Sequence, residues 1–109
     1  MKVIFTSNVL VYFEELVFTL YNKEYFGFLE ASQRYVAELI DEITTTLPLR
    51  SHRPAPNYFD RYGKSMKYAI FIKNRHTTWY VFFKTYSKNG EKIYLVRYIG
   101  NNHTIAHYL

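Results

Sequence analysis

Arg97, His103, His107 and Tyr108 fall close together near the C-terminus. A histidine can take or give a proton near neutral pH, and a tyrosine can do so when a cation lowers its pKa. With a fixed guanidinium beside them, these types suit acid–base chemistry on an anion. The plainer alternative is a frayed tail carrying polar side chains. Arg97 sits in an apolar strand pattern, and alternation puts it on the face of Leu95 and Ile99. A buried guanidinium needs an acid or carbonyl partner. Either its head reaches an exposed cleft, or its stem lies along apolar surface. His52, His76, His103 and His107 lack HExxH-type spacing, so no metal is expected, although a helical tail could pair His103 with His107. The chain has no cysteine, which excludes disulfides, thiolate ligands and a cysteine nucleophile. It has no glycine-rich phosphate loop and no GxSxG turn, and no cofactor is expected.

A second set of residues could bind rather than react. Arg50, Arg53, Arg61, Lys64, Lys67, Lys73 and Arg75 face Asp60 alone, with Tyr58, Phe59, Tyr62, Tyr68 and Phe71 interleaved. Cations neutralise phosphates and aromatic faces stack unpaired bases, so this mixture suits nucleic acid. A solvated loop with lysine-protected strand edges would read the same way. Charge is also split along the chain. Residues 1–48 carry three basic side chains against seven acidic ones, and residues 49–109 carry eleven against two, Asp60 and Glu91. A polyanion would meet the second half.

The elements that must position these residues follow from periodicity. Residues 1–109 suit a single domain with a real core, since 49% are hydrophobic and 20% aromatic, far from a disordered composition. Lys2–Thr6 reads as a strand. Ser7 or Asn8 would cap a helix from about Val9 to Tyr21, with Val9, Phe13, Leu16, Val17 and Leu20 on one face. In a second helix Val36, Leu39, Ile40, Ile43 and Leu47 repeat at helical spacing until Pro48 ends it. Residues 48–63 read as a loop. Three strands follow over Lys67–Lys73, Thr77–Tyr86 and Lys92–Ile99, with Tyr94, Val96 and Tyr98 on one face of the last. Asn74-Arg75-His76 and Asn89-Gly90 are tight turns, the latter demanding positive φ at both residues. The tail crosses out of the sheet or adds an edge piece. The fold class expected is α+β: a short N-terminal strand and two helices packed on a mostly antiparallel twisted sheet, in the order β-α-α-β-β-β. The N-terminal apolar run meets Glu14 and Glu15 too early for a secretory leader, and no uncharged stretch suits a membrane span. A cytoplasmic protein is expected, with no membrane partner.

This order of parts resembles the RelE/ParE superfamily of toxins from bacterial type II toxin–antitoxin systems. The resemblance rests on the strand Val3–Phe5, two helices, a basic linker, the strands KYAIFIK, TTWYVFFKTY and EKIYLVRYI, and a short tail with His and Tyr. The closing His107-Tyr108 is similar to the C-terminal His-Tyr pair of some RNA-cleaving members. RNases of this group usually carry several Arg or Lys at the end of the last strand, where this chain has Gly100-Asn101-Asn102.

The resemblance implies a toxin that cleaves mRNA on the ribosome without a metal. The ribose 2′-OH would attack its own phosphate and expel the 5′-oxygen. His107 would be the base, Arg97 with Arg75 or Lys73 the transition-state clamp, and Tyr108 or His103 the acid. Lys73, Arg75, Arg97 and His107 should then meet in one phosphate-sized hollow. The alternatives are a ParE-like inhibitor of DNA gyrase without catalysis and a plain basic binding module. The implied partners are mRNA and the ribosome, or gyrase, and a cognate antitoxin landing on Tyr12, Phe18, Tyr21, Tyr80 and Phe82.

Overall fold

The computed structural model describes residues 1–23 and 26–109; Glu24, one of the acids counted above, lies outside them. β1 (Lys2–Phe5) leads into α1 (Ser7–Asn22) and α2 (Leu29–Thr46). β2 (Arg53–Pro54), β3 (Lys67–Asn74), β4 (Thr77–Lys88) and β5 (Glu91–Asn101) follow, and α3 (Asn102–Ile105) opens the tail. The strands form one open sheet in the order β1-β5-β4-β3-β2. β1 runs parallel to β5, and the other pairings are antiparallel. The chain is therefore α+β with a mostly antiparallel sheet.

Local chemistry explains most boundaries. Thr6, rather than Ser7 or Asn8, caps α1: its Oγ1 accepts from the Val9 N–H at 3.4 Å. The helix starts at Ser7, two residues earlier than the spacing suggests, directly after its cap Thr6. In α2 the threonines 44–46 do not fray the last turn. Each hydroxyl donates to the carbonyl four residues back, at 2.8, 2.9 and 2.6 Å. Pro48 then sits in a 3₁₀ turn, Leu47–Leu49. The expected loop over 48–63 is more ordered than its composition suggests. It holds β2 and a 3₁₀ segment, Asn57–Tyr62. Asn89 and Gly90 take φ of 52° and 77°, as their turn requires.

The sheet is covered on both faces. Val9, Phe13 and Leu16 of α1 and Val36, Leu39 and Ile43 of α2 pack on Phe71, Trp79, Val81, Phe83, Val96 and Ile99. On the opposite face Phe59, Met66, Tyr68, Phe82 and Ile105 form a second apolar cluster. The tail builds part of that cluster. It folds back over the sheet as α3 and a 3₁₀ turn, Ala106–Tyr108, instead of extending an edge.

The strand pattern breaks at one place. Phe82 pairs with Tyr98 and Phe83 with Val96, so Arg97 is an extra residue bulged out of β5. The bulge resets the alternation. Tyr94, Val96 and Ile99 face the helices, while Tyr98 faces the second cluster. The period-2 expectation, which grouped Tyr98 with Tyr94 and Val96 and Ile99 with Leu95, fails because it had no means of counting an unpaired residue. A second irregularity spares Lys73, between the pairs Ile72–Thr78 and Asn74–Thr77.

Ile105 anchors the tail. It is 3% exposed, and a Cβ on Gly100 would lie 3.0 Å from its Cδ1, so glycine makes the seat. Ile105→Ala should destabilise the protein by about 2–5 kcal/mol. Thermal unfolding reads this directly; an unchanged midpoint would mean that the tail is not part of the second core.

Candidate functional site

The expected hollow of Lys73, Arg75, Arg97 and His107 does not form. Lys73 Nζ bonds Glu42 Oε1 at 3.2 Å on the side of α2. Arg50 takes the other oxygen of Glu42, donates to the Ile70 carbonyl and lies over the Phe71 ring. Both cations expected to bind phosphate therefore hold an acid from the N-terminal half. Sequence spacing had no signal for that pairing across 31 residues. Arg75 is exposed in the β3–β4 turn. Arg97 sits in the bulge, where its Nε–H donates to the Tyr62 carbonyl at 3.0 Å. It makes no hydrogen bond to His107 or Tyr108, which lie on the tail.

Four of the seven expected binding residues do share a region. Arg53 and Lys67 belong to β2 and β3, which pair as Arg53–Tyr68 and Pro54–Lys67. Arg61 lies in the last turn of the 3₁₀ segment and Lys64 follows it. All four are exposed, and among the described residues none is in an ion pair. Residues 53–67 close on themselves through the Ala55 N–H, which donates to the Met66 carbonyl at 2.9 Å.

The tail meets this region in a column of rings. Tyr108 stacks on Tyr58 with centroids 3.6 Å apart and planes 7° off parallel. The Arg61 guanidinium lies 4.0 Å from the Tyr58 centroid, and its Nε–H donates to the Tyr58 carbonyl. The His107 ring is 3.9 Å from that of Tyr108. The Tyr58 hydroxyl beside it raises the Tyr108 pKa; Arg61 pulls it down but is outweighed. The Tyr108 phenol is thus held protonated, which makes it no base and a weaker acid than a free tyrosine. Arg61, not Arg97, is the cation beside it. Tyr58 was visible as an aromatic among cations, but nothing in the sequence joined it to residue 108.

His103 stands elsewhere, exposed at the start of α3. The neighbouring Asn102 ties this junction to the β3–β4 turn. Its Oδ1 accepts from the Thr78 N–H and its Nδ2 donates to the His76 carbonyl. His103 has no ring contact with the Tyr58 column among the described residues. His52 is structural: Nε2–H donates to the Leu47 carbonyl, and the ring packs 4.6 Å from Phe83. Among the described residues no group of three or more His, Cys, Asp or Glu is arranged to hold a metal ion. No described helix is long and apolar enough to cross a membrane.

Arg97 opens onto a separate cleft of about 450 Å³. Asn8, Val11, Tyr12 and Glu15 of α1 line it together with Tyr62, Thr104 and Arg97–Gly100 of β5. Gly63 permits this arrangement, since a Cβ there would lie 2.8 Å from Arg97 Nε. Tyr62 stacks on Tyr98 at 3.9 Å. Burial and the Tyr62 hydroxyl push the Tyr98 phenol up. Burial and nearby Tyr35 push Tyr12 up to about 12. The phenols of Tyr12 and Tyr98 therefore enter this cleft protonated.

The surface expected to receive an antitoxin is also divided. Phe82 is fully buried, and Tyr80 lies on the face opposite the helices. Phe18 and Tyr21 are exposed on α1, while Tyr12 is half-buried against the helix-face core. No protein-family model, no curated protein and no solved structure matches this chain.

The raised Tyr12 pKa makes stability depend on alkaline pH. The folded chain holds this proton more tightly than the unfolded chain, whose phenol titrates at 10.0. The stabilisation is complete below pH 10 and is lost as pH rises toward about 12. Urea unfolding should show Tyr12→Phe gaining about 2 kcal/mol on the parent between pH of about 9 and 11.5. An equal difference at the two pH values would contradict this.

Proposed function

We propose that this chain is the toxin of a type II toxin–antitoxin module, of RelE/ParE type, acting in the cytoplasm on mRNA at the ribosome as an endoribonuclease. The column Arg61–Tyr58–Tyr108–His107, beside the exposed cations Arg53, Lys64 and Lys67, carries the reading. Support also comes from the order of elements, a strand, two helices and a meander with a returning tail.

The chemistry assigns the roles. Cleavage by the ribose 2′-OH needs a base, an acid for the leaving 5′-oxygen and a cation on the crowded phosphate. His107 is exposed and takes the 2′-OH proton. Tyr108, in contact with both Tyr58 and His107, gives the leaving oxygen its proton. Arg61 offers the guanidinium edge to phosphate while its face rests on Tyr58. Arg97, Lys73 and His103 have no part in this version, since none of them belongs to the column. The basic surface of β2 and the 3₁₀ segment would follow the RNA backbone. A cognate antitoxin would cover the apolar residues Leu10, Phe18 and Tyr21 left open on α1.

A non-catalytic toxin of ParE type, directed at DNA gyrase, is favoured by one observation: the four residues expected to cradle phosphate are dispersed. Induction in bacteria, with mRNA ends and plasmid topology examined together, separates the readings. His107→Ala and Arg61→Ala should each lower RNA cleavage by roughly 10²–10³-fold and relieve growth arrest. Tyr108→Phe keeps the stack and should lower cleavage too. Growth arrest with intact RNA and blocked supercoiling would transfer the assignment to gyrase. Absence of arrest would leave a plain binding module.

A further inference from the structure

Asn8, Val11, Tyr12 and Glu15 recur at spacings of three and four, so they share one flank of α1. Val9, Phe13 and Leu16 beside them belong to the helix-face core. The flank lines the cleft of about 450 Å³ with Tyr62, Thr104 and Arg97–Gly100. Small-molecule sites span about 300–1,000 Å³ and set a few polar groups in an apolar lining. This cleft has that makeup. Val11 and Ile99 are aliphatic, and Tyr62 and Tyr98 form a stacked pair with planes 9° apart. The charged lining residues are Arg97 and Glu15. Among the described residues neither is in an ion pair, with the other or with any third group. Arg97 gives its Nε–H to the Tyr62 carbonyl, and its Nη groups bond no described residue. No buried side-chain nitrogen or oxygen among the described residues lacks a partner, so those Nη groups meet solvent. Glu15 is exposed.

We propose that this cleft binds a small aromatic zwitterion, of which a free aromatic amino acid is the simplest case. The lining charges define the ligand. One cation and one acid give the lining a formal charge of zero. A ligand with a single charge would leave Arg97 or Glu15 without a counter-charge. A carboxylate on the ligand meets the Arg97 Nη groups in charge-assisted hydrogen bonds. Its ammonium meets the Glu15 carboxylate. Its ring takes the apolar surface of Val11 and the Tyr62–Tyr98 pair. The Tyr12 phenol, protonated at neutral pH, adds an O–H donor. A nucleotide phosphate suits the cleft poorly. Arg97 is the one cation lining it among the described residues, and Glu15 repels an anion. The proposal is independent of the RNA reading, because none of the groups in the Tyr58 column lines the cleft.

Titration of the full chain with L-phenylalanine, followed through amide shifts by NMR, tests it. Saturable shifts should map to residues 11–15 and 97–100. Hydrocinnamate, which lacks the ammonium, and phenethylamine, which lacks the carboxylate, should each bind roughly tenfold more weakly. Glu15→Gln should abolish the preference for L-phenylalanine over hydrocinnamate. Arg97→Gln should abolish its preference over phenethylamine. Glu15 is an exposed helix position, so its variant keeps the fold by circular dichroism and decides the matter alone if Arg97→Gln unfolds. Equal binding of the three probes overturns the proposal. So do shifts confined to other residues, or no saturation up to about 10 mM L-phenylalanine. Tighter binding of phenethylamine would assign the cleft to a plain cation, and binding of uridine monophosphate in place of L-phenylalanine would assign it to a nucleotide; either result overturns it. None of these readouts involves RNA cleavage, so the two proposals fail separately.

Discussion

Strand β5 carries one residue more than β4 can pair with, and that residue is Arg97. Without it, Ile99 would point away from the helices and Tyr98 into them. With it, a single strand serves both cores. Val96 and Ile99 close the layer under α1 and α2, and Tyr98 joins Phe59 and Phe82 on the other side. The stacked Tyr62, the seat for Ile105 and the returning tail all depend on that change of phase. The bulge also turns a guanidinium out of the ladder without burying it unpaired, since a backbone carbonyl meets its Nε. Removal of the extra residue would therefore disturb both faces at once.

Charge is arranged to the same end. The acidic N-terminal half is not simply a counterweight to the basic half. Glu42 of α2 reaches across to hold Arg50 and Lys73, joining the helix layer to the margin of the sheet. Both cations keep partial contact with water, so these bonds orient more than they stabilise. Their capture concentrates the free positive charge on β2, the Asn57–Tyr62 segment and the start of β3. That surface is narrower than composition suggests, and it lies beside the tail.

Much of the architecture was legible in the residues. Helical spacing in Val36–Leu47, alternation in Thr77–Tyr86 and the Asn89-Gly90 turn each depend on neighbours close in sequence, and each element is where those neighbours require. What escaped depends on distant partners. No local pattern distinguishes a bulged Arg97 from a paired one, because the bulge is defined by β4. Glu42 and its two cations are likewise joined only by the fold. The candidate site was legible as a list but not as a grouping. His107, Tyr108 and Arg61 come together, whereas Arg97, His103 and Lys73 each belong to a different neighbourhood. Tyr58 links the first three, and its role follows from the return of the tail over the sheet.

Trp79 is the sole tryptophan of the chain, 1% exposed, with its indole N–H donated to the Tyr35 hydroxyl. It belongs wholly to the layer beneath the helices. The parallel pair Tyr58 and Tyr108 belongs wholly to the opposite side. Each half of the molecule thus contains its own optical reporter: indole emission senses the helix layer, and exciton coupling between two phenol rings senses the tail. Loosening of the tail would change the second signal and leave the first at its native wavelength.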